Sequence, residues 1–85
     1  MADLELQFLA ASEAIKKLGE RPDNDTLLKL YALYKQGSLG DVDGPKPGFF
    51  DFVGTAKYEA WAKLKGTARD AAQSKYIELV HSLGA

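Results

Sequence analysis

Tyr31, Tyr34 and Lys35 are the residues of this chain with the most evident chemistry. They lie in the run Leu30-Tyr31-Ala32-Leu33-Tyr34-Lys35-Gln36, which reads as helix. Spacings of i, i+3 and i+4 place the three on one helix face. Each phenol offers a flat apolar ring and a hydroxyl donor; the ammonium is a point charge suited to phosphate. A flat, phosphorylated ligand such as a nucleotide moiety matches that patch. Two tyrosines at helical spacing also match a core stripe, and this run alone favours the core.

A patch of this kind becomes a site only if other elements hold it. Four helical segments are expected. In the first, Leu4, Phe8, Ile15 and Leu18 form one stripe, and Gly19 and Pro22 end it. The second is capped by Asp23, Asn24 or Asp25, carries Leu27, Leu30, Tyr31 and Tyr34, and stops near Gly37 to Gly40. Residues 40–51 hold three glycines and two prolines and cannot be regular helix. So long a connection lets the helices on either side run in the same direction. A third helix is expected from about Gly54 to Leu64, with Tyr58, Trp61 and Leu64 inward. Gly66 breaks it, and a fourth starts at Thr67 or Ala68 with Ala72, Tyr76, Ile77, Val80 and Leu83 as its apolar positions. No strand pattern persists, so the fold class is all-α.

Eighty-five residues make a single domain, 1–85, large enough to bury roughly 60–65% of the surface its unfolded chain exposes. The hydrophobic content of 46% argues against disorder. Eleven basic and twelve acidic side chains leave a net charge of −1, which disfavours a nucleic-acid partner that needs a basic field. There is no cysteine, so disulfides, thiolate metal sites and cysteine nucleophiles are excluded. Asp3 and Glu5 stand where a secretory signal needs positive charge, and no apolar run approaches the ~20 residues of a membrane span. A cytoplasmic monomer without membrane insertion is the expectation.

Other motifs carry less chemistry. Asp41-Val42-Asp43-Gly44 hints at a calcium loop, but with Gly44 at the sixth position the first and twelfth are Leu39 and Phe50, which cannot ligate. Gly37-Ser38-Leu39 is similar to the serine segment of acyl carrier proteins, although those place an aspartate before the serine at a helix start. His81, the one histidine, has no visible catalytic or metal partner and suits a helix C-terminus. Hydroxyls and carboxylates lack nucleophile-elbow or phosphate-loop context. No enzyme, no cofactor and no metal site is expected.

Lys57 and Trp61 are an i, i+4 pair on the third helix, and Lys16 sits at the polar edge of the first. Together with the opening patch, these residues make the chain resemble the acyl-CoA-binding protein family. The resemblance runs from about Phe8 to Leu83. Its parts are Tyr31-Ala-Leu-Tyr34-Lys35-Gln36, Gly40-Asp41, Pro47-Gly48-Phe-Phe-Asp51-Phe52, Gly54-Thr-Ala56-Lys57-Tyr58-Glu-Ala60-Trp61, Leu64-Lys65-Gly66, Ala72 and Tyr76-Ile77.

The resemblance implies a four-helix bundle of up-down-down-up topology, with the long loop between helices 2 and 3. It implies reversible, non-catalytic binding, transport and buffering of long-chain acyl-CoA thioesters. By matching positions Tyr31, Tyr34, Lys35 and Lys57 would hold the adenine and the 3′-phosphate, Lys16 would add charge at the headgroup rim, and Tyr76 would close the site. Phe8, Leu27 and Leu28 would border the acyl groove. This chain departs from the family at Val53 and Thr55, where lysine is frequent, at Tyr58 for tryptophan, and at Ser12 for a small apolar residue. A helical interaction module that offers its groove to a partner helix, or an atypical acyl carrier domain, are the alternative functions.

Overall fold

The computed structural model describes residues 2–85 and contains four α-helices: α1 (Ala2–Ala14), α2 (Asn24–Leu39), α3 (Phe52–Ala62) and α4 (Arg69–Ser82). Among the described residues there is no strand. α1 carries Asp3 and Glu5 in its first turn, where they complement the helix dipole. It does not run on as α-helix to Leu18; Ile15–Lys17 tighten into a 3₁₀ turn, after which Leu18 is extended.

Of the three candidate caps of α2, Asp23 fills the role: its Oδ1 accepts the Thr26 N–H at 2.8 Å. That bond holds the Asp23 carboxyl below its ordinary value. The helix ends at Leu39, where Gly40 turns the chain with φ 85° and ψ −149°, a conformation that side chains with a Cβ resist. Gly37 is not a stop signal. It lies inside α2 at the closest approach to α1 and α4, where a Cβ would sit 2.9 Å from Gln73 Cγ and 3.1 Å from Phe8 Cζ.

α3 begins at Phe52, two residues before the expected start, because Asp51 caps it by accepting the Gly54 N–H at 2.8 Å. Gly54 is where that carboxylate rests, so a side chain there would strike it. α3 also ends sooner than expected, at Ala62, and the chain passes Leu64 and Lys65 in successive tight turns. α4 starts after Ala68, which offers no side-chain cap.

Hydrogen bonds fix the directions of the helices. Trp61 at the end of α3 donates its indole N–H to Gly40 O at the end of α2, 2.9 Å, so α2 and α3 run parallel. Gln73 near the start of α4 donates to Gly37 O near the end of α2, 2.9 Å, so these two are antiparallel. The short link from Leu18 to Asp23 makes α1 antiparallel to α2. The order is up-down-down-up, and the long 40–51 connection permits the parallel pair. Tyr58 ties that loop to α3 through a bond to Gly44 O at 3.2 Å.

The core is small. Phe8, Ala11, Leu30, Tyr76, Ile77 and Val80 form one buried cluster among α1, α2 and α4. Beside it lies a polar joint at the C-terminus of α2. The last carbonyls of a helix lack partners within it. Here Gly37 O accepts Gln73 Nε2, with Arg69 Nε at 3.4 Å, and Gly40 O accepts Trp61. Fully buried Gln36 donates to Asp41 Oδ1 at 2.9 Å and to Thr67 O at 2.8 Å. Asp41 Oδ1 also accepts the Gly66 N–H at 2.8 Å. The joint binds α2 to α3 and α4, and so sets where Tyr34 and Lys35 point.

Candidate functional site

The face of α2 that opened the sequence argument divides into two parts. Tyr34 turns toward α1 and α4. Its ring stacks on Phe8 with centroids 5.4 Å apart and meets Tyr76 at 5.8 Å, while Phe8 and Tyr76 pack edge to face at 5.2 Å. All three spacings are favourable for aromatic pairs. Phe8 and Tyr76 are 3% and 4% exposed but Tyr34 is 37% exposed, so Tyr34 is the ring of this cluster that a ligand can reach. The Tyr76 hydroxyl makes no hydrogen bond among the described residues. Burial, and secondarily the neighbouring Tyr34, push its pKa above the ordinary tyrosine value. It therefore remains an O–H donor, without a protein acceptor among the described residues.

Tyr31 turns instead toward α3. Lys57 Nζ lies 5.3 Å from its ring centroid and Lys35 Nζ 5.7 Å, and Lys35 is also 5.8 Å from the Trp61 ring. One half-buried phenol is thus flanked by two ammonium groups. Such cation–π contacts hold a lysine in place without neutralising it. Among the described residues neither Lys35 nor Lys57 has an ion-pair partner; the recorded pairs are Lys16 with Glu13 and Lys46 with Glu59. Two unneutralised cations beside one flat ring form a fitting seat for a phosphate next to an aromatic base.

From Tyr31 a groove of about 670 Å³ runs along the seam of α2 and α3. Its walls include Leu27, Leu28 and Tyr31 from α2 and Phe52, Val53, Ala56 and Lys57 from α3. The lining is mostly apolar, with Lys57 beside Tyr31 and with Arg21 and Asn24 as its polar members. A second groove of about 650 Å³ shares Leu28 and Ala56 and extends past Ala32 to Ala60 and Leu64. It has Asp25, Lys29, Glu59 and Lys63 at its rim, both signs of charge and no aromatic ring.

The structure therefore brings together Tyr31, Lys35, Lys57, Leu27 and Leu28, with Tyr34 and Tyr76 in the adjoining aromatic cluster. Phe8 lies in the core beneath Tyr34 and not on the groove wall. Lys16 is exposed on the 3₁₀ turn, pairs with Glu13 at 3.5 Å and is not part of the groove lining. Spacing pairs Lys57 with Trp61, but in the fold Lys35 meets Trp61 and Lys57 meets Tyr31. Arg21, Asn24, Phe52, Val53 and Ala56 also line the groove, where the sequence raised no expectation of them. Phe52 and Val53 sit in the aromatic motif after Gly48, and an apolar pair opening a helix was the available signal. Ser38 is half-buried one residue before the end of α2, not at a helix start as an acyl-carrier serine would be.

Comparison with known proteins agrees with this geometry. Residues 5–80 match the family model described as Acyl CoA binding protein. The chain is 53% identical over 77 residues to the acyl-CoA-binding protein homolog of Drosophila melanogaster, covering 91% of this chain and 90% of that one. It is 45% identical over 76 residues to enoyl-CoA delta isomerase 2 of Rattus norvegicus, covering 89% of this chain but only 19% of that protein. Among solved structures, the acyl-CoA-binding protein 2 of Oryza sativa superposes with a TM-score of 0.92 at 33% identity, covering 96% of this chain and 89% of the other. A match over nearly the whole length, in sequence and in the arrangement of four helices, means that this chain belongs to the acyl-CoA-binding protein family.

Proposed function

We propose that the chain binds long-chain acyl-CoA thioesters reversibly and without catalysis, as a carrier and buffer. The observation that carries this reading is the Tyr31 ring with the unneutralised Lys35 and Lys57 ammonium groups beside it, at the end of an apolar groove. In this reading the two lysines hold the 3′-phosphate, and Tyr31 and Tyr34 receive the adenine. Tyr76 offers its free hydroxyl from α4. Leu27 and Leu28 border the acyl chain, Phe8 backs the Tyr34 ring, and Lys16 adds charge at the rim.

The energetics call for both ends of the ligand. Burying about twelve methylenes contributes roughly 10 kcal/mol at ~0.8 each. Immobilising the ligand costs about 4–15 kcal/mol. The chain alone barely holds, and charge-assisted phosphate bonds with ring stacking supply the surplus. A nucleophile near the thioester would risk acylation, so a carrier is better without one.

The reading includes a monomer in the cytoplasm with no nucleic-acid partner. The net charge of −1 supports the last of these, since a nucleic-acid partner needs a basic field. Titration calorimetry tests the central claim. Palmitoyl-CoA binds one to one and far more tightly than CoA or palmitate, and its thioester absorbance stays constant during long incubation. Equal affinity for palmitate and palmitoyl-CoA would overturn the reading.

A further inference from the structure

The two grooves beside the α2–α3 seam differ in charge. Among the described residues, the groove that reaches Tyr31 is lined by two cations, Arg21 and Lys57, and by no carboxylate. The neighbouring groove sets Lys29 and Lys63 against Asp25 and Glu59. Uncompensated positive charge in one groove alone is what draws and orients an anionic ligand. Lys57 is accounted for by the seat beside Tyr31. Arg21 is not. It stands exposed in the link between α1 and α2 and has no ion pair among the described residues. Its side chain is tethered all the same: Nη2 donates to Asn24 Oδ1 at 3.2 Å, and Asn24 is itself part of the groove lining. A guanidinium carries several more N–H donors, and these stay free for a ligand. Asp23, the acidic residue between the two, is committed to the helix cap, where it accepts the Thr26 N–H.

We infer that Arg21, steadied by Asn24, binds the 5′-diphosphate of the ligand. The inference rests on the acyl-CoA reading, which assigns Lys35 and Lys57 to the 3′-phosphate and leaves the diphosphate without a cation. Those two phosphates bring further negative charge, and the α3 side of the groove meets them with Val53, which has none to offer. Asn24 opens α2, and Tyr31 stands about two turns, or ~10 Å, further along it. Cations at two separate points of one groove match a headgroup whose 3′-phosphate and diphosphate leave one ribose at different carbons. The planar fork of a guanidinium also takes two phosphate oxygens at once, which an ammonium does not.

Titration calorimetry on Arg21→Gln tests this with two ligands, palmitoyl-CoA and palmitoyl-dephospho-CoA, both of which keep the diphosphate. Glutamine retains a donor for Asn24 but no charge, and the position is exposed, so the melting temperature stays where it was. Both ligands lose affinity by the same factor, at least about fivefold, the effect of removing a charge-assisted phosphate contact at an exposed site. Arg21→Lys loses less than Arg21→Gln. Val53→Lys, which brings an ammonium to the groove from α3, recovers affinity in the Arg21→Gln background. Unchanged affinity of Arg21→Gln for both ligands overturns the inference. So does a loss confined to palmitoyl-CoA, which would move Arg21 to the 3′-phosphate. A loss that neither Arg21→Lys nor Val53→Lys reduces overturns it too, because the role of Arg21 would then not be one of charge. Failure of the acyl-CoA reading shows separately, as no heat from palmitoyl-CoA with the unaltered protein.

Discussion

Lys35 and Tyr76 separate what the site needs from what the fold needs. The Lys35 ammonium rests over Tyr31 and Trp61 and has no acidic partner among the described residues, so no structural charge depends on it. Lys35→Ala should lower palmitoyl-CoA affinity by about 1.5–3 kcal/mol, the usual worth of a hydrogen bond to a charged group, while the melting temperature hardly moves. An unfolded variant, or one with unchanged affinity, would remove Lys35 from the site. Tyr76 is the harder case from sequence, because it lies on the core stripe of α4. The structure separates the two roles atom by atom: its ring is packed on Phe8 and Tyr34, but its hydroxyl has no protein partner among the described residues. Tyr76→Phe keeps the packing and should leave thermal stability unchanged, yet weaken ligand binding if the hydroxyl donates there. Calorimetry beside a thermal melt distinguishes the outcomes, and a large loss of stability would show that the hydroxyl serves the fold.

At the level of elements, the C-terminus of α2 governs the rest. Gly37 is closely packed there, and its neighbours cannot give freely: Gln73 is held by its own bond to Gly37 O and Phe8 by the aromatic stack. Glycine to alanine inside a helix ordinarily gains about 1 kcal/mol. Here the added methyl must displace Gln73 or Phe8, and overpacking of this kind costs roughly 1–3 kcal/mol. Gly37→Ala should therefore be neutral to destabilising in chemical denaturation, never stabilising. Asp41 at the same joint gives a pH signature. The Gly66 N–H first, and Gln36 second, hold its carboxyl below the ordinary value of 3.8. A carboxyl depressed in the folded state stabilises the fold above its unfolded pKa, and that contribution is lost as pH falls through the lower folded pKa. Asp41→Asn, which has no charge to lose, should flatten the acid limb of melting temperature against pH below about pH 4; an unchanged limb would place the acid sensitivity elsewhere. Little of this joint was legible beforehand. Hydrophobic periodicity found all four helices and the aromatic-lysine face, because those follow from local spacing. The sequence offered no role for Gln36 or Gln73, and Gly37 read as the end of a helix, because their roles depend on a segment more than thirty residues away. The early start of α3 was a matter of choosing glycine over its capping Asp51 as the boundary.

The described residues span 37 × 31 × 15 Å across their Cα atoms, a plate about two helices thick. A plate of that thickness has no interior in which to enclose a long amphiphile, so ligand must lie across one face and be held at both ends. In the proposed reading the parallel α2–α3 seam is the apolar run and the Tyr31–Lys35–Lys57 cluster the polar anchor. Selectivity then belongs at the anchor, since the groove is open and tolerant of chain length. A phosphate monoester carries up to two negative charges and three acceptor oxygens, enough to engage both lysines at once. The diphosphate has fewer readers, because Val53 and Thr55 offer no charge along α3. Palmitoyl-dephospho-CoA, which lacks the 3′-phosphate, should therefore bind at least about tenfold more weakly than palmitoyl-CoA, a difference of ~1.4 kcal/mol. The same comparison in Lys35→Ala should give a smaller gap, because one reader of that phosphate is already gone. Lys35 and Lys57 flank a single ring, so the two ligands and the two proteins form a double cycle whose coupling reports the contact directly. If the losses simply add, Lys35 does not read the 3′-phosphate, and its ammonium over Tyr31 must serve the diphosphate or the packing of α2 on α3.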